Sequence, residues 1–506
     1  MISLFIALVL TLIISFIPEW FLKPRPNLPR SVASIAIHIL TLSFIFNTIF
    51  LLIQRPYFSG LVALGTLCVF VIVSNAKFKT LREPLVFSDI AMFSQAFKHP
   101  RLYLPFLGIV PAIAAPIIAG ALIFLVIKYE PAITLSLWSG LSLVFVLIVS
   151  MWLIRLFSLK LDLVQDPSID IQKYGLLASL WGYSWQAKTS HHQDQIKATL
   201  QSSPMRKPVV EEVARPHVIT IQSESFFDAR RLHPSIKTSL LKNFDQLCSE
   251  SKLSGRLNVP AWGANTMRTE FSVLTGIPSH KLGLYRFYPY QYLSSESIPS
   301  LASYYQQQGY YCVCIHPHPV SFFGRDRIFP KMGFDEFIDI ESFNKNNTFG
   351  PYIKDAAVTE KIIETLAAQD KPVFIFAITM ENHGPLHLEK TTEEDIARLY
   401  DESPPQPHND LTVYLRHLKN ADETLGELAT ELKELSGEAV LCLYGDHIPS
   451  MPDIYKATGY EDDQTDYFIW SNKDSSNHES KELAAEQLAE YLVSLNVPPP
   501  SRSESL

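Results

Sequence analysis

Five stretches without a single Lys, Arg, Asp or Glu fill the first third of the chain, at residues 2–18, 31–54, 56–76, 102–127 and 131–154. A helix needs about 20 apolar residues to cross a hydrocarbon core, and all but the first reach that length. The first, at 17 residues, has neither a basic leader nor a small-residue cleavage site, and it runs into Pro18-Glu19-Trp20-Phe21. It reads as a retained span with an interfacial anchor, not a removable signal. Residues 1–155 are therefore expected to form a transmembrane region of five helices.

The rest of the chain is built for a different solvent. Residues 1–155 hold 11 basic against 4 acidic side chains, a balance of +7, whereas the remaining 351 hold 32 against 47, a balance of −15. So acidic a second part excludes nucleic acid as the main partner, because phosphate backbones need a basic footprint. Five cysteines in 506 residues, none in a Cys-x-x-Cys pair, exclude a disulfide scaffold and a zinc ribbon. Cys312 and Cys314 lie two apart on one expected strand and read as small core residues.

Loop charges bear on orientation. Lys23, Arg25 and Arg30 crowd the first loop and Lys77, Lys79, Arg82, Lys98 and Arg101 the third, so the positive-inside rule with five spans puts the C-terminal part in the cytoplasm. Within the third loop, Arg82-Glu83-Pro84-Leu85 and Ser88-Asp89 read first as a solvated connector and second as a surface element facing lipid head groups.

Residues 156–216 are expected to be an interfacial helix and then a polar linker. Beyond them, short apolar runs at 217–221, 311–315, 373–378 and 439–443 alternate with helix-like stretches at 300–308, 356–368 and 411–435. Runs that are apolar throughout are strands buried on both faces. Their alternation with helices predicts an α/β domain with a mostly parallel sheet over 217–497. The Pro/Ser/Glu-rich tail, 498–506, is expected to be disordered.

The chemistry sits just past the end of each strand. The four runs lead into Ser223-Glu224-Ser225, His316-Pro317-His318, Glu381-Asn382-His383 and Gly445-Asp446-His447. Parallel α/β sheets bind ligands at the carboxyl ends of their strands. Glu224, Asp446 and His447 suit Mn²⁺, Zn²⁺ or Mg²⁺. Gly-Asp-His alone is a weak signal, since Asp caps helices, but the same logic on four strands is a strong one. A nucleophile is expected where Trp262–Phe271 opens a helix. Spacing leaves Thr266, Thr269 and Ser272 open, with a plain N-cap as the structural alternative. Arg325 fits bidentate phosphate capture or a surface salt bridge with Asp326 or Asp335.

Taken in order, the five spans, Ser223-Glu224-Ser225, Gly263-x-x-Thr266-x-x-x-Glu270-Phe271, His316 nine residues before Arg325, Glu381-Asn382-His383 and Tyr444-Gly445-Asp446-His447 resemble the lipoteichoic acid synthase group of membrane phosphoglycerol transferases, within the alkaline phosphatase–sulfatase superfamily. The resemblance implies that Glu224, Thr266, Asp446 and His447 bind one divalent cation, Mn²⁺ foremost, and that Thr266 is the nucleophile. It implies that His316, Phe323, Arg325 and His383 line the glycerol-phosphate pocket, with Phe323 and Gly324 standing where the family often has Trp and Asn. The implied activity transfers glycerol phosphate from phosphatidylglycerol, through a phosphothreonine, to a hydroxyl acceptor of a cell-envelope polymer or glycan, releasing diacylglycerol. The implied place is the bacterial cytoplasmic (inner) membrane, multi-pass, with the catalytic domain on its outer side, against the loop charges. A phosphoethanolamine transferase or phosphodiesterase is the nearest alternative. The sulfatase branch is disfavoured because Thr266-Met267-Arg268-Thr269-Glu270 lacks the Pro of a Cys/Ser-x-Pro-x-Arg setting, and a non-catalytic scaffold is remote because every expected group is present.

Overall fold

The computed structural model describes residues 2–90, 109–206, 215–293, 296–473 and 478–494. The chain divides into two compact units, Met1–Asp194 and Gln195–Leu506.

In the first unit, four helical stretches are long and apolar enough to cross a membrane: Ile2–Glu19, Val32–Ile53, Pro56–Leu81 and Leu137–Ser158. Four of the five expected spans are thus found among the described residues. The fourth expected stretch, 102–127, falls partly outside them; helix Ile109–Tyr129 contributes only a shorter apolar segment, Gly120–Tyr129. The last span also starts later than its apolar run, because Ser136 caps it by accepting from the Ser139 amide, leaving 131–136 outside the helix. Large apolar side chains such as Phe5, Leu52, Val69, Ile148 and Trp152 point outward, as they do where lipid is the solvent. Small residues such as Ser34, Ser59, Gly60, Ala63 and Ser74 face inward, which lets membrane helices approach closely.

Where composition alone suggests an interfacial helix and a linker, the chain forms helices Pro167–Tyr174, Leu176–Gln186 and Ser190–Gln201. Leu176, Leu177 and Leu180 join the core of the spans with Leu42, Phe46 and Leu67, so the apolar face of Leu176–Gln186 is buried in protein. In the third loop Lys77 bridges Glu83 and Asp89, each at 2.7 Å, and Asp89 accepts from the Val86 amide at 2.8 Å. Those charges are satisfied by one another, which favours the connector. The tail at 498–506 lies outside the described residues.

The second unit is built on a nine-stranded sheet. We number its strands β1 His217–Ser223, β2 Leu253–Asn258, β3 Tyr311–Ile315, β4 Glu336–Ile338, β5 Val373–Ile378, β6 Ala439–Gly445, β7 Thr465–Ser471, β8 Glu479–Ser480 and β9 Leu483–Ala484. Their order is β8-β2-β7-β6-β1-β5-β3-β4, with β9 also paired to β2. The block β6-β1-β5-β3-β4 is parallel, while β7 runs antiparallel to both β6 and β2. The four expected strands are all present, and Cys312 and Cys314 are fully buried on β3. Helices Asp355–Ala367 and Asn409–Glu434 pack Val358, Ile362, Leu418, Leu425 and Leu428 onto the sheet residues Ile219, Ile375 and Leu441. Strand β7 is buried throughout although it contains Asp466; Arg231 pairs with that carboxylate at 2.5 Å, which makes the charge tolerable inside.

Candidate active site

The register brings two strand ends together. Ser223 pairs with Gly445 across β1 and β6, so the next residues, Glu224 and Asp446-His447, emerge side by side. Gly445 is required because a Cβ there would overlap the Phe226 carbonyl oxygen. One ligand atom each from Glu224, Asp446 and His447 lies within 4.8 Å of the others, and all three residues are buried.

Three observations fit this trio to a cation. His447 Nδ1 lies 3.1 Å from the Ile448 carbonyl, so Nδ1–H donates there and Nε2 is the nitrogen turned to the other two groups. That nitrogen faces Asp446 Oδ2 at 3.3 Å and Glu224 Oε1 at 3.7 Å. Asp446 Oδ2 is buried and accepts no hydrogen bond. Burial, then the neighbouring Asp446 charge, push the Glu224 carboxyl up to about 8. Two carboxylates and an imidazole nitrogen converging in a buried site are a set that a divalent ion satisfies.

Ser225, which spacing did not single out, organises the trio. Its amide donates to Asp446 Oδ1 at 2.8 Å, its hydroxyl to Glu224 Oε1 at 2.9 Å, and that hydroxyl lies 3.4 Å from His447 Nδ1. The Glu224 amide is held by Thr379 Oγ1, beyond the end of β5.

The candidate nucleophiles separate by environment. Thr269 is fully buried and donates to the Asp446 carbonyl at 2.7 Å, tying the start of helix Met267–Thr275 to the tip of β6. Ser272 is also fully buried. Thr266 is half-buried and does not cap the helix it opens, so the plain N-cap alternative fails. Backbone strain marks the same places. Ser225, Asn265 and Phe323 adopt left-handed φ of 55°, 65° and 57°, and they adjoin Glu224, Thr266 and Gly324-Arg325. Such strain persists where surroundings impose it and clusters at functional sites.

Arg325 is not on the surface. It is 1% exposed and its partner is neither Asp326 nor Asp335 but Glu270, bound bidentately at 3.0 Å through Nε and 2.7 Å through Nη2. Nη1 is buried without a hydrogen bond. The Phe323 ring lies 5.3 Å from the guanidinium. His316, one residue beyond β3, places Nδ1 3.2 Å from the Ile378 carbonyl, and burial, aided by the Arg325 charge, lowers its pKa well below the usual value. His383 Nδ1 lies 2.6 Å from the Gly384 carbonyl; burial lowers its pKa while the Asp446 charge opposes that. Both rings are neutral near pH 7, each with Nδ1–H turned to a carbonyl and Nε2 unprotonated.

Glu381 serves elsewhere. It accepts from the Asp355 amide and from Asn420, and lies 3.2 Å from His417, which reaches Glu389 on its other side.

Comparison with known proteins agrees with this architecture. The sulfatase family model matches residues 216–495. The chain is 30% identical over 276 residues to a Rhizobium meliloti protein named for cyclic beta-1,2-glucan modification, covering 51% of this chain and 42% of that one, so the match spans less than half of the relative's length. It is 28% identical over 451 residues to the capsular polysaccharide biosynthesis protein RkpI of the same organism, covering 85% and 80%. It is 29% identical over 157 residues to lipoteichoic acid synthase 1 of Bacillus subtilis, covering 30% and 23%. Among solved structures, the lipooligosaccharide phosphoethanolamine transferase A of Neisseria meningitidis is similar in fold at a TM-score of 0.57 and 14% identity, over 97% of this chain and 95% of that one. With more than half of its length matched by that model, the chain belongs to the sulfatase family.

Proposed function

We propose that this protein transfers glycerol phosphate from phosphatidylglycerol to a hydroxyl of a cell-envelope glycan or polymer and releases diacylglycerol. The observation that carries the reading is the buried Glu224, Asp446 and His447 trio, tied through Thr269 to the helix that Thr266 opens. Membrane-crossing helices on the same chain suit a substrate that stays in the bilayer. The names of the two Rhizobium relatives support a glycan acceptor.

Glu224, Thr266, Asp446 and His447 would hold a divalent cation, Mn²⁺ foremost with Mg²⁺ or Zn²⁺ as alternatives, which when bound supplies positive charge against the phosphoryl oxygens and lowers the hydroxyl pKa of Thr266. Thr266 Oγ attacks the phosphorus, the bond to diacylglycerol breaks, and a phosphothreonine forms. In the second half the acceptor hydroxyl attacks and Thr266 leaves. A neutral His316 or His383 takes the proton of the attacking hydroxyl at Nε2 and returns it to the departing alkoxide, a contribution of roughly 10²–10⁴. Arg325 Nη1 donates to a phosphoryl oxygen, and Phe323 packs beside the head group. The catalytic unit works on the outer face of the bacterial inner membrane.

The test incubates the full chain in detergent with Mn²⁺ and head-group-labelled phosphatidylglycerol, and follows diacylglycerol release and label on the protein. Label trapped on the wild type and absent from Thr266→Ala supports the reading; equal turnover by Thr266→Ala overturns it. Labelled phosphatidylethanolamine run in parallel replaces the head group if it alone is consumed. A reporter fused at Leu506 and active only in the cytoplasm overturns the assigned side.

A further inference from the structure

Beneath the strand tips lies a second layer of polar side chains that the proposed transfer leaves unexplained. Gln222 and Glu224 share one face of the β1 end, as do Tyr444 and Asp446 on β6, because side chains alternate along a strand. Gln222 pairs with Tyr444 in the register, and the Tyr444 hydroxyl donates to Gln222 Oε1 at 2.5 Å. Gln222 Nε2 in turn lies 3.4 Å from Glu270 Oε2, and the Tyr290 hydroxyl donates to Glu270 Oε1 at 2.7 Å. Glu270 stands one helical turn after Thr266 and is 0% exposed. Every donor around it converges on one carboxylate, and the strongest is Arg325.

This arrangement fixes the charge that Arg325 offers. A buried guanidinium with one edge, Nε and Nη2, bound to a carboxylate is an ion pair of zero net charge that leaves Nη1 as a directed donor. Glu224 and Asp446, the two carboxylates offered to a divalent ion, already match its charge. His316 and His383 each turn Nδ1 to a backbone carbonyl, at 3.2 and 2.6 Å. No cationic side chain among these groups remains to balance a second negative charge on a phosphoryl group.

Resting on the phosphoryl-transfer reading, we propose that Glu270 is a positioning residue that neutralises Arg325 and thereby selects a monoanionic phosphodiester over a dianionic phosphomonoester. A diester brings one negative charge, which Nη1 of Arg325 serves; a monoester brings a second charge that neither the Arg325–Glu270 pair nor the two carboxylates of the trio balance. Selection of this kind works by leaving the wrong ligand unpaired. It also prevents the free phosphate monoester of the head group from competing with its lipid ester.

The experiment compares the full-length wild type with Glu270→Gln and Glu270→Asp in detergent with Mn²⁺. Three quantities are read: kcat/KM for a soluble phosphodiester, bis(4-nitrophenyl) phosphate; kcat/KM for the monoester, 4-nitrophenyl phosphate; and inhibition by inorganic phosphate. The wild type should prefer the diester. Glu270→Gln, which exposes the Arg325 charge, should bind inorganic phosphate at least about tenfold more tightly and shift the diester-to-monoester ratio by at least the same factor, since an unbalanced unit charge a few ångströms away is worth more than that. Glu270→Asp keeps the charge and should keep the wild-type ratio even where its rate falls. A merely structural Glu270 would lower all activities together and give no tighter phosphate binding, which overturns the proposal. If Glu270→Gln does not fold, a wild type or Glu270→Asp enzyme that prefers the monoester overturns it equally. Turnover of phosphatidylglycerol by the wild type, lost in Thr266→Ala, shows separately that the transfer reading stands.

Discussion

Ser225 is the smallest group on which the trio depends, and two substitutions there separate its two roles. Removing the hydroxyl deletes the 2.9 Å hydrogen bond to Glu224 and the 3.4 Å approach to His447 but leaves the amide on Asp446. A hydrogen bond to a charged group contributes about 1.5–3 kcal/mol, and partners that orient metal ligands contribute roughly 10–100-fold in metal affinity. Both Ser225→Ala and Ser225→Gly should therefore bind Mn²⁺ roughly 10–100-fold more weakly, while saturating Mn²⁺ restores most of the rate. The backbone distinguishes them. At φ 55°, a residue with a Cβ carries a left-handed penalty of about 1–2 kcal/mol, whereas glycine avoids it but loses about 0.5–1 kcal/mol more chain entropy. Ser225→Gly should thus be more stable than Ser225→Ala by up to about 1.5 kcal/mol. Calorimetric Mn²⁺ titration and thermal unfolding of the full chain read the two quantities. Wild-type metal affinity in Ser225→Ala would refute the orienting role, and an alanine variant more stable than the glycine variant would refute the strain.

Gly445→Ala should destabilise the catalytic unit by about 3 kcal/mol or more, at the upper end of overpacking costs, because the added carbon meets the Phe226 carbonyl oxygen; an unchanged melting temperature would show that the strand end is looser than it looks. Chelation should abolish turnover, with Mn²⁺ restoring it best, and activity persisting in metal-free protein would count against the trio. Burial works against the charged form of His417, but Glu381 and Glu389 outweigh it and raise its pKa to about 9. Its contribution, at most about 3 kcal/mol, is complete below its ordinary pKa near 6.5 and is lost as pH rises through 9. Melting temperature should therefore fall between pH 7 and 9.5 in the wild type and fall less in His417→Gln; parallel profiles would remove His417 as the cause. Asp355, raised to about 8 by burial and by Glu381, destabilises in the same direction over lower pH, so the variant keeps part of the slope.

Strands buried on both faces announce themselves as apolar runs, so β1, β3, β5 and β6 were readable, and with them the residues at their tips. Strands β2 and β7 were not, because Arg256 and Asp466 interrupt them and are compensated by partners far away in sequence. The same reason hid the partner of Arg325. Neighbouring acids suggested themselves, yet the one that binds it is 55 residues upstream, and only the fold measures that distance. Ser225 was visible as a letter beside Glu224, but its bonds to Asp446 and His447 run across two strands. Thr269 and Ser272 are fully buried and Thr266 is half-buried, a difference in exposure that spacing does not encode. In the membrane unit, apolar runs marked the spans but not where they begin, since capping at Ser136 shortens one of them. The apolar face of Leu176–Gln186 was masked by polar neighbours until it met Leu42 and Phe46.

Strand β6 enters the sheet between β1 and β7, so Glu224 finds Asp446 only after more than two hundred intervening residues have been made. Until β6 pairs with β1, a chain that already carries Glu224, Thr266, Arg325 and His383 lacks two of the three buried groups that converge there. Asp446 and His447 arrive together, at one strand end, when β6 pairs with β1.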